Sequence, residues 1–312
     1  VPAVYVPTKA GNLFVLDRRD GKPIVPVNEM PVPAGEAAPG DRVSPTQPRS
    51  DLNLTSIQTL ADKDMWGATM FDQLVCRVIF KQLSYNGQYT PPSEKGTLVF
   101  PGNLGVFEWG GISVNADRQV ALMNPMALPF VSKLIPRGPN NPLWPKEGLT
   151  GAGTGTEMGI QPQYGVPYGV EINAFLSPLG LPCKEPAWGY VAGVDMGTHQ
   201  VVWRKRIGTI RDSLKGIQLP PLKIGVPMLG GPISTAGNLM FIAGTQDNYL
   251  RAYNVTNGDL LWQARLPAGG QATPMTYESN GKQYVVIMAG GHGSFGTKMG
   301  DSLIAYALPS RQ

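Results

Sequence analysis

Apolar residues along this chain come in short runs, each closed by turn residues. Ala3-Val4-Tyr5-Val6, Val120-Ala121-Leu122-Met123, Leu239 to Ala243 and Tyr284 to Met288 are the clearest. Runs of this length bounded by Gly, Pro, Asn and Asp predict strands. The stretches Gly110 to Met123 and Gly230 to Ala243 both read strand, turn, strand. Asn280-Gly281 lies between Thr273–Tyr277 and Gln283–Met288, the strongest short-range hairpin signal in the chain. No amphipathic helical pattern extends beyond two turns. Pro31–Leu60 and Pro136–Pro182 are rich in Pro, Gly, Ser, Thr and Asn and predict long loops.

A repeat overlies this pattern. Asp195 and Asn254 each follow a strand, a turn comes next, and Trp203 and Trp262 close the following strand eight residues later. A weaker copy runs from Asp17 to Val25, with Val25 in the tryptophan position. The Asp or Asn and the turn make a tight hairpin. The indole at the sheet edge then offers a large apolar face and one N–H to the next sheet. Such a unit needs a neighbour like itself, so the fold class is all-β, with about four blades of a β-propeller joined by generous loops.

Composition agrees. Of 312 residues, 39 are Gly and 30 Pro, yet 42% are hydrophobic, which is not a disordered composition. The net charge of +4 is spread without a dense basic stripe, so a nucleic-acid partner is not expected. Cys76 and Cys183 fit either a disulfide or two buried thiols. Two histidines and no Cys-x-x-Cys spacing argue against an ordinary zinc site. No Gly-x-Gly-x-x-Gly, phosphate loop or Gly-x-Ser-x-Gly elbow is present. The chain opens on Val1 within an apolar run, so further residues are expected upstream.

Four polar residues follow comparable apolar strands: Lys9, Asn124, Asp247 and His292. Each has a plain reading: a solvated loop lysine, a turn initiator before Pro125, an Asx-turn, and a turn histidine among glycines. Together they predict one pocket, because inner strands of a propeller end at a common mouth. A lysine, an amide, a carboxylate and an imidazole suit a planar, anionic, carbonyl-bearing ligand.

Asp64-Met65-Trp66-Gly67-Ala68-Thr69-Met70-Phe71-Asp72-Gln73, Phe107-Glu108-Trp109-Gly110-Gly111-Ile112-Ser113 and Asn124-Pro125-Met126-Ala127-Leu128-Pro129-Phe130 resemble membrane-bound, pyrroloquinoline-quinone-dependent glucose dehydrogenases. So do Gly165 to Gly169, Gln246 to Tyr253 and the tail from Gly290 to Asp301. The likeness is to the C-terminal part of that family. It implies that residues 1–312 are the C-terminal portion of a single eight-bladed quinoprotein propeller, with upstream blades and a membrane anchor absent. It further implies pyrroloquinoline quinone (PQQ) with Mg or Ca, whose ligands lie upstream. D-glucose would be oxidised to gluconolactone, with ubiquinone as acceptor, on the periplasmic face of the bacterial inner membrane. Lys9 looks like the family lysine beside the ortho-quinone oxygens, and Asn124, Asp247 and His292 look like cofactor-pocket residues. The family's aspartate base is expected upstream of Lys9, so this chain alone is expected to be inactive. The alternatives are a quinate or other polyol dehydrogenase of the same build, and a non-enzymatic propeller scaffold for protein binding.

Overall fold

The computed structural model describes residues 1–55, 59–138, 158–161, 163, 166–213, 217–293 and 295–309. In chain order the strands are β1 (Ala3–Pro7), β2 (Leu13–Asp17), β3 (Val27–Pro31), β4 (Thr46–Ser50), β5 (Thr97–Val99), β6 (Ser113–Asn115), β7 (Val120–Met123), β8 (Phe130–Pro136), β9 (Gly159–Gln161) and β10 (Tyr168–Ala174). They continue with β11 (Tyr190–Asp195), β12 (Gln200–Arg206), β13 (Ile233–Thr235), β14 (Leu239–Ile242), β15 (Tyr249–Asn254), β16 (Leu260–Arg265), β17 (Met275–Ser279), β18 (Lys282–Ala289) and β19 (Ser302–Ala307). Among the described residues one α-helix, α1 (Met70–Gln82), lies between β4 and β5. Part of the loop expected over Pro136–Pro182, and Gly165 of the family-like stretch, lie outside the described residues.

The chain forms two compact units, Val1–Val106 with Ala127–Glu185, and Phe107–Met126 with Pro186–Gln312. The first holds the antiparallel pairs β1–β2 and β3–β4 and a four-stranded sheet ordered β5-β8-β10-β9. The second holds three antiparallel sheets, β6-β7-β11-β12, β13-β14-β15-β16 and β17-β18-β19. Four sheets of three or four strands match the expected number of blades. The hairpin at Asn280-Gly281 is present, with Ser279 paired to Lys282 and both turn residues at positive φ.

The repeats share one turn. The N–H of Gly21, His199 and Gly258 donates to the carbonyl of Asp17, Asp195 and Asn254, at 2.8, 2.8 and 2.9 Å. All three donors are left-handed, with φ of 74°, 58° and 71°. The chain's other histidine is therefore a turn residue. In the two strong copies each tryptophan pairs just before a bulge in the preceding strand, Gly193 with Trp203 and Ala252 with Trp262. The Trp203 indole donates to Val255 O at 2.8 Å and so ties its sheet to the next. Trp262 meets Tyr306 of the last sheet edge-on at 5.2 Å. Between these two sheets, Phe241, Leu250, Ala252, Val285 and Ile287 form a buried apolar core.

The helix was not expected from the sequence. Thr69 caps it by accepting from Asp72 N at 3.1 Å, and Asp72 Oδ2 accepts from Ala68 N at 3.1 Å. The first contact satisfies an amide that the first turn leaves without a partner, and the second ties the residue before the cap back to the helix. Cys76, on the inner side, is bonded to Cys183. Around the disulfide pack Leu60, Met65, Leu98, Phe100 and Phe175, with Ile79 and Phe80 at the margin.

Candidate cofactor site

In the second unit three of the four candidates occupy equivalent places. Asn124, Asp247 and His292 each lie in the loop that leaves the second strand of its sheet, β7, β14 and β18. β7 and β14 are almost wholly buried and β18 is buried over Val285–Ile287 and at Ala289, so the loops that leave them are anchored at their roots.

Asn124 is buried, and its Nδ2 donates to Gly230 O at 3.0 Å. Gly230 in turn abuts the next loop. A Cβ there would stand 2.6 Å from Gln271 O, and one on Gly244 would stand 2.5 Å from Gly230 N. Only glycine lets these backbones pack so closely. Gln271 Nε2 reaches Thr245 O at 3.4 Å. The loops carrying Asn124 and Asp247 are thereby joined through residues 228–231 and 269–273.

Asp247 is fully buried. Its Oδ1 accepts from Thr245 Oγ1 at 2.6 Å, and its Oδ2 accepts from Thr209 N at 2.8 Å, Thr209 Oγ1 at 2.9 Å and Arg251 at 2.5 Å. Arg251 also donates to Thr245 Oγ1 at 2.8 Å. Burial alone would raise the Asp247 carboxyl. The Arg251 guanidinium, helped by hydrogen bonds from Arg251, Thr245 and Thr209, outweighs that and holds it below the ordinary aspartate range. The carboxylate thus fixes the 207–209 and 245–248 loops.

His292 is half-buried, and its Nδ1 accepts from Phe295 N at 3.3 Å, which leaves the proton of the neutral ring on Nε2. Its own N–H donates to Thr297 Oγ1 at 2.9 Å. The loop is joined to its neighbours by Gly291 N to Gly269 O at 2.8 Å and Gln246 Nε2 to Phe295 O at 3.3 Å. Ser294, two residues on, lies outside the described residues.

Lys9 belongs to the first unit, in the turn between β1 and β2. Its Nζ donates to Asn103 O at 3.0 Å, and its carbonyl accepts from Val106 N at 2.9 Å. The Cβ of any larger residue at Gly105 would fall 2.6 Å from Lys9 Cγ, so Gly105 lets the lysine stem lie flat.

Sequence reading missed Thr209, Thr245, Arg251 and Gln271. Arg251 carried a signal: it is the one charge in the apolar strand Tyr249–Asn254, four residues after an aspartate. Among the described residues no group of three or more His, Cys, Asp or Glu could hold a metal ion.

The family model for the PQQ-dependent "Glucose/ethanol/alcohol dehydrogenase, beta-propeller domain" matches residues 1–285. Over its whole length the chain is 73% identical to quinoprotein glucose dehydrogenase A of Acinetobacter calcoaceticus, covering 39% of that protein. It is 45% identical to a quinate/shikimate dehydrogenase (quinone) of Acinetobacter baylyi, with 98% of this chain and 38% of that protein aligned. Among solved structures, a europium-containing methanol dehydrogenase aligns with 92% of this chain and 36% of its own, at a TM-score of 0.50 and 17% identity, a likeness of fold. The chain spans about two fifths of the length of the curated relatives it matches.

Proposed function

The chain belongs to the glucose/ethanol/alcohol dehydrogenase β-propeller family of quinoproteins, and from this we propose that it is the C-terminal part of a PQQ-dependent glucose dehydrogenase. The observation that carries the substrate assignment is the whole-length likeness to a glucose dehydrogenase, well above that to a quinate enzyme.

The residues of the second unit fit a planar quinone. Gln271 Oε1 and Asn248 Oδ1 are buried acceptors without a protein partner beside the loops of Asn124 and Asp247, and would take a donor such as a ring N–H of the cofactor, not its carbonyls or carboxylates. The close glycine packing leaves backbone, rather than side chains, at that level. Bound there, the quinone would supply the two-electron acceptor for the sugar C1–H. Asn124 and His292 would hold its polar edge, His292 through Nε2–H. Lys9 would set a cation beside the ortho-quinone oxygens, where charge develops. Asp247 would act through the loops it fixes, a positioning role. The aspartate base and the ligands of a Mg or Ca ion would lie outside this chain. The acceptor would be ubiquinone, and the site would face the periplasm. The Cys76–Cys183 bond supports an oxidising compartment. No described helix is long and apolar enough to cross a membrane.

The test is side-by-side oxidation of glucose and quinate by the protein at its native length, with added PQQ and Mg. Glucose is expected to be turned over the faster; equal or faster quinate oxidation would overturn the assignment. His292→Ala is expected to weaken PQQ binding about tenfold, the size of one lost hydrogen bond in a buried site. Unchanged binding would remove His292 from the pocket.

A further inference from the structure

In the first unit a cavity of about 240 Å³ opens where α1 meets the segments 64–66 and 184–185. Its walls are joined to one another. The Cys76–Cys183 bond ties α1 to the residues just before Lys184. Trp66 N donates to Cys183 O at 2.8 Å, and Met65 forms an antiparallel bridge with Lys184. Gln73 Nε2, on α1, donates to Met65 O at 2.9 Å. A site framed in this way loses little conformational freedom when a ligand enters.

Part of the lining is apolar: Met65 and Phe100 are buried, and the half-buried Trp66 joins them. The rest is polar and carries both signs. Lys184 Nζ donates to Glu185 O at 3.1 Å and lies 5.6 Å from the centre of the Phe100 ring. Lys63 and the Glu185 carboxylate are exposed and have no partner among the described residues. Asp64 accepts from Ala61 N through Oδ2 at 2.8 Å, and Gln73 is held by its Nε2, so Asp64 Oδ1 and Gln73 Oε1 remain as acceptors. Two ammonium groups and two carboxylates leave the lining without a net sign. An anion would meet both carboxylates, and a cation both ammonium groups. An apolar molecule would take water from these charges and return no hydrogen bond. A hydroxyl both donates and accepts, so several on one ring answer both kinds of group. The volume lies below the range of about 300–1,000 Å³ usual for drug-sized ligands and suits a single sugar ring. An aromatic face is negative at its centre and suits the weakly positive C–H face of such a ring.

We propose that this cavity binds a neutral pyranose sugar. Trp66 would lie against its C–H face, Asp64 and Glu185 would accept from its hydroxyls, and Lys63 would donate to them. None of these residues is among those assigned to the quinone, and the inference rests on the chemistry of the cavity rather than on the proposed activity.

The probe is methyl α-D-glucopyranoside, whose anomeric carbon is locked as an acetal and cannot be oxidised to a lactone. Titrated calorimetrically into the full chain without quinone, it should bind saturably. Glu185→Ala should weaken binding about fivefold, the size of one lost hydrogen bond, with the melting temperature unchanged because the side chain is exposed. Trp66→Ala should weaken it about tenfold or more, since the ring loses its apolar face. Glu278→Ala, an exposed acid on β17, should not change it. D-glucuronate and D-glucosamine should each bind several-fold more weakly than the neutral glucoside. Glu185→Ala and the charged sugars keep the test decisive if Trp66→Ala folds poorly. No saturable binding by the parent chain, undiminished binding in Glu185→Ala, equal loss in Glu278→Ala, or a charged sugar that binds more tightly than the glucoside would each overturn the proposal. So would binding of serine in place of the glucoside, which would make the ligand a zwitterion. None of these readings uses quinone or turnover, so failure here leaves the dehydrogenase assignment as it stands.

Discussion

At the scale of single residues, the decisive pair is Asp247 and Arg251, joined at 2.5 Å with side chains almost wholly out of solvent. Removing one member of a buried ion pair leaves the other charge uncompensated, at a cost of about 3–5 kcal/mol. Asp247→Asn should therefore lower unfolding free energy in urea by that order. Asp247→Leu with Arg251→Met should recover part of the loss, since no lone charge then remains; a double variant worse than the single would contradict this account. The pH dependence has a definite sign. Asp247 is held below its unfolded value of about 3.9, so its contribution is complete above that value and is lost as pH falls through the folded one. The acid limb of stability below about pH 4 should accordingly flatten in Asp247→Asn. Sequence alone showed Asp247 and its strand-end position. The partner across 38 residues, Thr209, left no local trace, because contacts set by strand pairing have no fixed spacing in the chain.

At the scale of elements, the strands and the tryptophan repeats were legible because period-two burial and turn chemistry act locally. Asp195, Asn254 and even the weaker Asp17 copy close the same turn. The helix was hard to read for a physical reason: Met70, Phe71, Leu74 and Val78 are apolar yet exposed, so the polar stripe Gln73, Arg77, Lys81 does not mark the whole outer side. Docking between blades can be tested at Gly258, which is left-handed and faces the Trp203 ring, where a Cβ would stand 2.4 Å from Cε3. Gly258→Ala should cost about 2–4 kcal/mol, combining backbone strain with the clash. Trp203→Phe should cost about 1–2 kcal/mol by orphaning Val255 O. If the indole docks there, the smaller ring relieves the clash, and the double variant in urea denaturation should be more stable than the two costs added together. Strict additivity would separate Trp203 from Gly258.

At the scale of the whole molecule, blades bury their faces on one another, and the last sheet here has one face that is not buried. Its outward residues, Met275, Tyr277, Met288 and Leu303, are exposed, and Tyr277 stacks on Tyr284 at 5.0 Å across the same surface. Among the described residues the sheet also has three strands where the preceding one has four, so the outer edge of β19 has no strand partner there. An apolar face beside an unpaired edge drives association between copies. The 312-residue chain on its own should therefore self-associate as its concentration rises, as seen by sedimentation velocity. Met288 and Leu303 are directly paired across β18 and β19, so Met288→Glu with Leu303→Lys places opposite charges side by side on that face. The double variant should raise the monomer fraction several-fold with little change in melting temperature, because both side chains already contact solvent. If association persists unchanged in it, the face that draws copies together lies elsewhere, and the three-stranded sheet is stable with its outer side in water.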